Sequence, residues 1–196
     1  GLSFAYGVFH AAGPGHGKAV VAARQPTEAE IRAEKERQER EAMAKAAEQI
    51  QQAVRDDPAL AEIAKQLKID MTPDGLRIQI VDEVKLPMFA TGSSELNERA
   101  RMLLKKVVPV LEKLPKAISI AGHTDAVPYA AGGKTNWELS AERANATRRI
   151  LVEGGLAEAR FRTVTGHADR DPLIEDDPFA AANRRISILV LKDRGA

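Results

Sequence analysis

Cysteine is absent from all 196 residues of the sequence. The chain therefore has no disulfide framework, no thiolate metal site and no cysteine nucleophile. Aromatic residues are scarce, at 4%, whereas Ala, Glu and Arg are abundant, which favours helices. An excess of basic residues is also missing, because 29 basic and 28 acidic residues give a net charge of +1. Nucleic-acid-binding proteins need such an excess to neutralise phosphates, so we expect no nucleic-acid partner.

The sequence also has no long hydrophobic run. The longest candidate, residues 1–23, is interrupted by His10, Pro14, His16 and Lys18 and contains five glycines, so it does not have the pattern of a transmembrane helix. It lacks the basic start and the small-residue cleavage site of a signal peptide as well.

Residues 1–25 do not match the rest of the chain. They include the segment FHAAGPGHGK, which resembles a motif of membrane-embedded nickel/cobalt efflux permeases and makes His10 and His16 candidate metal ligands. These histidines are six residues apart with Gly and Pro between them, so they do not share a helix face, and no third ligand is nearby. We therefore expect no metal site here and interpret residues 1–25 as a foreign-looking or disordered segment.

Residues 26–68 are predicted to form a helical linker. Thr27 is placed to cap a long charged helix that ends at Asp57-Pro58. The second half of this helix carries an apolar stripe of Met43, Ala47, Ile50 and Val54. The stripe is either a short pairing seam between two copies or a surface that docks onto the following domain, and we favour docking. A second short helix is expected over residues 60–67.

Residues 69–196 have the pattern of an α+β domain. The predicted strands cover residues 69–72, 76–82, 118–122, 161–166 and 184–192. Ser94 is expected to cap one helix between them. A second helix opens at Asn136 with a capping box of Thr135 and Glu138 and ends at Gly154-Gly155. We expect a two-layer sandwich of order βαβαββ, with a mixed sheet and the helices packed on one face.

Residues 118–143 contain the most informative chemistry. Asp125 leaves the end of a buried strand, and Arg143 lies about two turns into the following helix. The start of that helix offers free backbone N–H groups. An acid, a base and these donors together are suited to hold a small ligand that carries both an amine and a carboxylate.

Three spaced blocks point to a known family. GHTD (residues 122–125), NWELSAERA (136–144) and NRRI (183–186) resemble OmpA-like peptidoglycan-binding domains, over roughly residues 76–191. The segments around them, including MFATGSSELN (88–97), are similar to the MotB family of flagellar stator proteins. The resemblance implies the OmpA-like fold that the strand and helix pattern also predicts.

The resemblance also assigns ligand contacts. The implied ligand is the diaminopimelate of the peptidoglycan stem peptide, with its ammonium on Asp125 and its carboxylate on Arg143. Arg suits a carboxylate because its planar guanidinium can make two parallel hydrogen bonds. Further contacts are implied for Asn136 and Thr124, as hydrogen-bonding groups, and for Phe89 and Leu139, as apolar walls.

The resemblance implies a non-catalytic module that anchors a flagellar motor stator to the cell wall and uses no cofactor. Such a protein would be a periplasmic domain, tethered to the inner membrane in its full-length form. It would form a homodimer and work with a membrane ion-channel partner subunit. The alternatives are a fusion related to nickel/cobalt transport, through residues 9–18, and a general OmpA-like protein that tethers the cell envelope.

Simpler structural roles compete with several of these assignments. Asp125 could cap a turn, and Arg143 could form a structural salt bridge with it. Asn183 and Arg184 are expected to hold their loop together, and Arg185 to be peripheral. His123 and His167 suggest a metal pair, but no carboxylate lies at ligand spacing in the sequence, so loop packing is favoured. Asp125 and Arg143 are both expected at the mouth of a cleft, where truncation would change stability little.

Overall fold

The computed structural model describes residues 24–90, 92–130 and 132–193. Over these residues the chain forms helices α1 (Glu28–Arg55), α2 (Glu98–Glu112) and α3 (Asn136–Glu153), and strands β1 (Leu67–Thr72), β2 (Gly75–Val81), β3 (Ile118–His123), β4 (Phe161–Gly166) and β5 (Arg185–Leu191). Among the described residues, no helix combines the length and the apolar character that crossing a membrane requires. His10, His16 and the permease-like motif lie outside the described residues.

The strands form one mixed sheet in the order β1-β2-β5-β3-β4. The crossover through α3 places β4 parallel to β3. The last strand, β5, inserts between β2 and β3 and runs antiparallel to both. The predicted mixed α+β sheet is confirmed, and the order βαβαββ holds from β2 onward. In addition, β1 forms a hairpin with β2 and makes an edge of the sheet.

The helices cover one face of the sheet, as predicted. Alternate residues of the central strands point towards them and are at most 1% exposed, among them Ile78, Ile120 and Ile188. The residues between these, such as Arg77, Ser119 and Ser187, are half-buried or exposed on the open face. This alternation follows from the two-residue period of a strand and leaves the open face of the sheet polar.

Helix α1 is part of the core along its second half. Its first turn has the predicted cap, with Thr27 and Glu30 forming a capping box. Further along, the buried side chains of Met43, Ala46, Ile50 and Val54 belong to the same hydrophobic cluster as α2 and the sheet. The stripe therefore docks onto the domain, as we favoured, and the core extends into the predicted linker.

Two local predictions were wrong. Ser94 does not cap α2, because Phe89 and Leu96 form a β-bridge that keeps the chain extended past it. Asn97 caps the helix instead, accepting a hydrogen bond from the Ala100 N–H. Residues 60–67 do not form an α-helix either; two short 3₁₀ turns, at Pro58–Leu60 and Ile63–Gln66, lead into β1.

Gly122 brings α3 close to the end of β3. A Cβ atom at this position would collide with the backbone carbonyl oxygen of Ser140 in α3. Backbone atoms cannot move aside cheaply, so only glycine permits this approach. The close packing places the first turns of α3 beside the residues that follow β3, and this junction forms one side of the site.

Candidate ligand-binding cleft

A cleft of about 540 Å³ lies at one end of the central strands, where β2 and β3 end and β5 begins. These ends coincide because Arg185, the first residue of β5, pairs with both Val81 and His123. The loop after β2, the loop after β3 and the start of α3 form its walls. All six residues predicted from the sequence line it: Phe89, Thr124, Asp125, Asn136, Leu139 and Arg143.

Arg143 reaches the cleft from α3 and is only 4% exposed. Its guanidinium carbon lies 4.4 Å from the centre of the Phe89 ring, a cation–π contact. Its Nε donates a hydrogen bond to the Ser93 carbonyl oxygen at 3.0 Å. Within the described part of the chain, this is the one hydrogen bond of the side chain, and neither terminal Nη group takes part in it.

Burial lowers the pKa of Arg143 to about 10, and the nearby Asp82 carboxylate opposes this effect. A pKa near this value still leaves the guanidinium protonated at neutral pH. Arg143 therefore presents a fixed positive charge in a poorly solvated environment, where charge interactions are stronger than in water.

Asp125 pairs with Arg184, not with Arg143. Its Oδ2 lies 2.6 Å from Arg184 Nη1, and its Oδ1 accepts a hydrogen bond from the Val127 N–H at 3.2 Å. The turn-capping role considered for Asp125 is thus present alongside the ion pair. The salt bridge suggested between Asp125 and Arg143 was wrong, because the Arg184 guanidinium occupies that position beside the carboxylate.

Asp82 holds the other side of Arg184. Arg184 Nε donates to Asp82 Oδ2 at 2.7 Å, and the Met88 N–H donates to Asp82 Oδ1 at 2.6 Å. Partial burial lowers the pKa of Arg184, but the hydrogen bonds to Asp82 and Asp125 outweigh it and leave the pKa above its ordinary value. Arg184 is therefore a cation bridging two carboxylates at the base of the cleft.

The remaining predicted residues have distinct surroundings. Phe89 and Leu139 are each 5% exposed and form apolar walls. Asn136 donates its amide to the Val127 carbonyl oxygen at 3.0 Å, which ties the loop after β3 to the start of α3. Thr124 is 3% exposed, and its hydroxyl has no hydrogen-bond partner among the described residues.

Two site residues were missed by the sequence analysis. Asn183 holds the loop at residues 174–177 as expected, through hydrogen bonds to Ile174 and Asp177. Arg184, however, lines the cleft, and so does Asp82, which was not considered. One feature of the sequence could have identified Asp82, because this residue follows a buried strand, as Asp125 does. Without the β2-β5-β3 order, nothing in the sequence shows that these two strands end at the same place.

Three expectations about exposure and surroundings were wrong. Asp125 and Arg143 are 7% and 4% exposed, so both lie within the cleft and not at its mouth. Arg185 is not peripheral, because it is buried and bonded to Gln79 and Asp171 on the opposite face of the sheet. That same face provides the carboxylate thought to be missing near His123: Asp171 Oδ2 lies 3.5 Å from its Nδ1.

We expect Asp82→Asn to lower the free energy of unfolding by about 2 kcal/mol, because it removes the charge from a buried hydrogen-bonded pair. Urea denaturation of both proteins measures the change. The matched control is Asp70→Asn, which alters an Asp–Arg pair whose side chains are 43–44% exposed. Exposed pairs contribute at most about 1 kcal/mol. Equal losses in the two variants would contradict the structural role of Asp82.

The chain is an α+β domain with one helix-covered sheet face and a charged cleft where β2 and β3 end and β5 begins. The OmpA family matches residues 88–185, a span that contains all six predicted cleft residues. The chain belongs to the OmpA family.

Within this family the chain is similar to Motility protein B of Escherichia coli K12, with 44% identity over 170 residues. The alignment covers 86% of this chain and 54% of that protein, so the chain spans about half the length of this relative.

Solved structures give the same picture of the fold. A MotB-like protein from Desulfovibrio vulgaris matches with a TM-score of 0.65 and 25% identity, over 80% of this chain and 98% of that one. The cell wall anchor of the T6SS from Pseudomonas aeruginosa matches with a TM-score of 0.57 and 25% identity, over 71% and 97% of the two chains. The predicted OmpA-like fold is confirmed.

Proposed function

We propose that the cleft binds the diaminopimelate-containing stem peptide of peptidoglycan and that the chain anchors a flagellar motor stator to the cell wall, without catalysing a reaction. The observation that carries this proposal is that Arg143 and the buried Asp125 carboxylate lie in one cleft, where the terminal Nη groups of Arg143 make no hydrogen bond to the described residues. The two groups match the carboxylate and the ammonium of an amino-acid terminus.

The charge balance of the cleft supports a zwitterionic ligand. Asp82, Asp125, Arg143 and Arg184 contribute two negative and two positive charges, so the lining is neutral overall. A ligand with a net charge would enter a poorly solvated space without a counter-charge, which costs free energy. The diaminopimelate end carries one ammonium and one carboxylate, and therefore leaves the cleft neutral.

The geometry also suits a carboxylate at Arg143. The stacking on Phe89 and the Nε bond to Ser93 hold the guanidinium plane, so little side-chain freedom is lost when a ligand binds. The two Nη groups can then make parallel hydrogen bonds to the carboxylate oxygens. Phe89 and Leu139 exclude water from this contact and strengthen it.

The proposed role in a motor rests on the 44% identity to Motility protein B. We propose the same assembly for this chain, with a membrane ion-channel subunit as partner and the inner membrane as the point of tethering. Since peptidoglycan lies outside the cytoplasm, the domain would work in the periplasm. The similarity to a T6SS cell wall anchor favours a second candidate, a general envelope tether that binds the wall outside a motor.

A homodimer is also part of this proposal. The apolar stripe of Met43, Ala47, Ile50 and Val54 packs against the core of its own chain, with Ala47 partly buried, so a pairing surface has to lie elsewhere. Ile31, which is 55% exposed in the first half of α1, is one candidate. Sedimentation velocity of the full chain tests for a dimer, and the same measurement on Ile31→Glu tests whether Ile31 belongs to the interface. A monomer in both would end the dimer proposal.

Co-sedimentation with purified peptidoglycan sacculi tests the proposed function. We expect the chain to pellet with sacculi in a saturable manner at moderate salt, since the contacts are buried and weakly screened. A soluble stem peptide containing diaminopimelate should release it. No retention, or retention that the stem peptide does not compete, would reject the proposal. Cells carrying Arg143→Ala should lose motility if the chain anchors a stator, and should keep it if the chain is a general envelope tether.

We expect Thr124→Val to weaken stem-peptide binding without lowering stability. The Thr124 hydroxyl is buried and has no partner among the described residues, so its removal relieves a desolvation cost of roughly 1–3 kcal/mol in the free protein. A bound ligand that satisfies this hydroxyl would lose a hydrogen bond in the variant. Calorimetric titration and thermal denaturation measure the two effects. Unchanged affinity would exclude Thr124 from the ligand contacts.

A further inference from the structure

A second cluster of polar side chains lies on the open face of the sheet, at the end of β3. His123, His167 and Asp171 each offer one ligand atom there, and these atoms all lie within 4.8 Å of one another. The cluster borders a shallow basin that also includes Ala121 and Arg185. Since side chains alternate along β3, His123 points to this face while the cleft lies around the next two residues.

His123 is the buried member of the cluster. It is 3% exposed, and its Nδ1 has no hydrogen-bond partner within the described part of the chain. Buried ring nitrogens normally have a hydrogen-bond partner, so a buried nitrogen without one needs a physical explanation. Imidazole nitrogens are among the commonest metal ligands in proteins.

The other two members are exposed but oriented. The His167 ring stacks on the His123 ring, with 4.9 Å between centroids and 28° between planes. Its Nε2 lies 3.2 Å from the Thr165 hydroxyl, a contact that orients the ring. Arg185 Nη2 holds Asp171 Oδ2 at 3.0 Å, close to His123. Such supporting contacts are typical of ligands that bind metals in proteins.

We propose that His123, His167 and Asp171 bind one divalent transition metal ion of the Zn²⁺ class. Two imidazole nitrogens and one carboxylate oxygen suit Zn²⁺, Ni²⁺, Co²⁺ and Cu²⁺, and they leave a coordination position for water from the open basin. Bond lengths of about 2.0–2.2 Å require ligand atoms roughly 3.4 Å apart in a tetrahedral site. The His123–Asp171 pair, at 3.5 Å, already meets this requirement, and the exposed His167 needs only a small side-chain rotation.

Arg185 limits the affinity of this site. Its guanidinium positions Asp171 but also places a positive charge near the incoming ion. The charges of Arg185 and Asp171 cancel, so the ion gains no net electrostatic attraction from this pair. We therefore expect binding in the micromolar range, weaker than at a structural zinc site with several anionic ligands.

Calorimetric titration of Zn²⁺ into the full chain tests the proposal. The sequence has four histidines, and His10 and His16 could bind metal independently, so the reference protein carries His10→Ala and His16→Ala. We expect this reference to bind one equivalent of Zn²⁺. Adding His167→Ala, a change at an exposed position, should weaken binding at least tenfold while the circular dichroism spectrum stays unchanged. Asp171→Asn should weaken it as well.

Asp169→Asn provides the matched control, because it removes the same charge two residues away from Asp171 and outside the cluster. It should leave the affinity for Zn²⁺ unchanged. The proposal is overturned if the reference protein binds no Zn²⁺, which would assign any binding by the unmodified chain to His10 and His16. It is equally overturned if His167→Ala and Asp169→Asn have the same effect.

Discussion

Arg143→Ala should reduce binding of a diaminopimelate-containing stem peptide by tenfold or more. The substitution would leave a ligand carboxylate unpaired in a buried space beside Asp125 and Asp82. Truncating one partner of a desolvated charge pair typically costs about 2–5 kcal/mol. Because Arg143 also stacks on Phe89, some stability is lost with it. Calorimetric titration, with thermal denaturation in parallel, measures both effects.

Two further variants separate recognition from folding. Arg143→Lys keeps the charge but not the planar fork, so it should fold and still bind poorly. Arg149→Ala removes the same side chain from an exposed position on the same helix, and should bind as the unmodified chain does. If Arg143→Lys binds normally, the guanidinium serves only as a charge. If Arg143→Ala binds normally, our placement of the site is wrong.

Ile50→Ala should lower the free energy of unfolding by about 2–5 kcal/mol, although it lies in the predicted linker. Ile50 is fully buried in the core cluster that α1 shares with α2 and the sheet. Removing a large buried side chain loses its transfer free energy and leaves a cavity. Urea denaturation measures the change, and a single transition would show that α1 unfolds together with the domain.

Ile31→Ala, measured at a concentration at which the chain is monomeric, is the control for this prediction, because it makes the same substitution in the same helix at a position that is 55% exposed. We expect an effect within about 0.5 kcal/mol. Similar effects of the two substitutions would mean that the second half of α1 does not pack on the domain in solution.

Local signals accounted for most elements of the fold. Alternating apolar residues located β2 and β5, and the N-cap at Thr27 and the capping box at Thr135 located the starts of α1 and α3. These signals depend on neighbours within a few residues, so they can be interpreted without tertiary information. The cap of α2 could not, because the bridge between Phe89 and Leu96 decides where that helix begins.

The sequence predicted six residues of the candidate cleft, but not the ion pairs within it. The six residues identified through family resemblance and through the stretch from Asp125 to Arg143 do line one cleft. The ion pairs within it depend on strand order, which joins residues about 60 and 100 positions apart. For the same reason Arg184 and Asp82 were missed, and Asp171 was not recognised as a neighbour of His123.

The most direct test of the central claim is an NMR titration of the full chain with a stem peptide that ends in diaminopimelate. Our account predicts saturable binding, with the largest shifts at Thr124, Asp125 and the Arg143 side chain. A peptide whose terminal diaminopimelate carboxylate is amidated should bind at least tenfold more weakly, because it no longer offers Arg143 a partner. Equal affinity for the two peptides, or shifts confined to the open face around His123, would contradict the account.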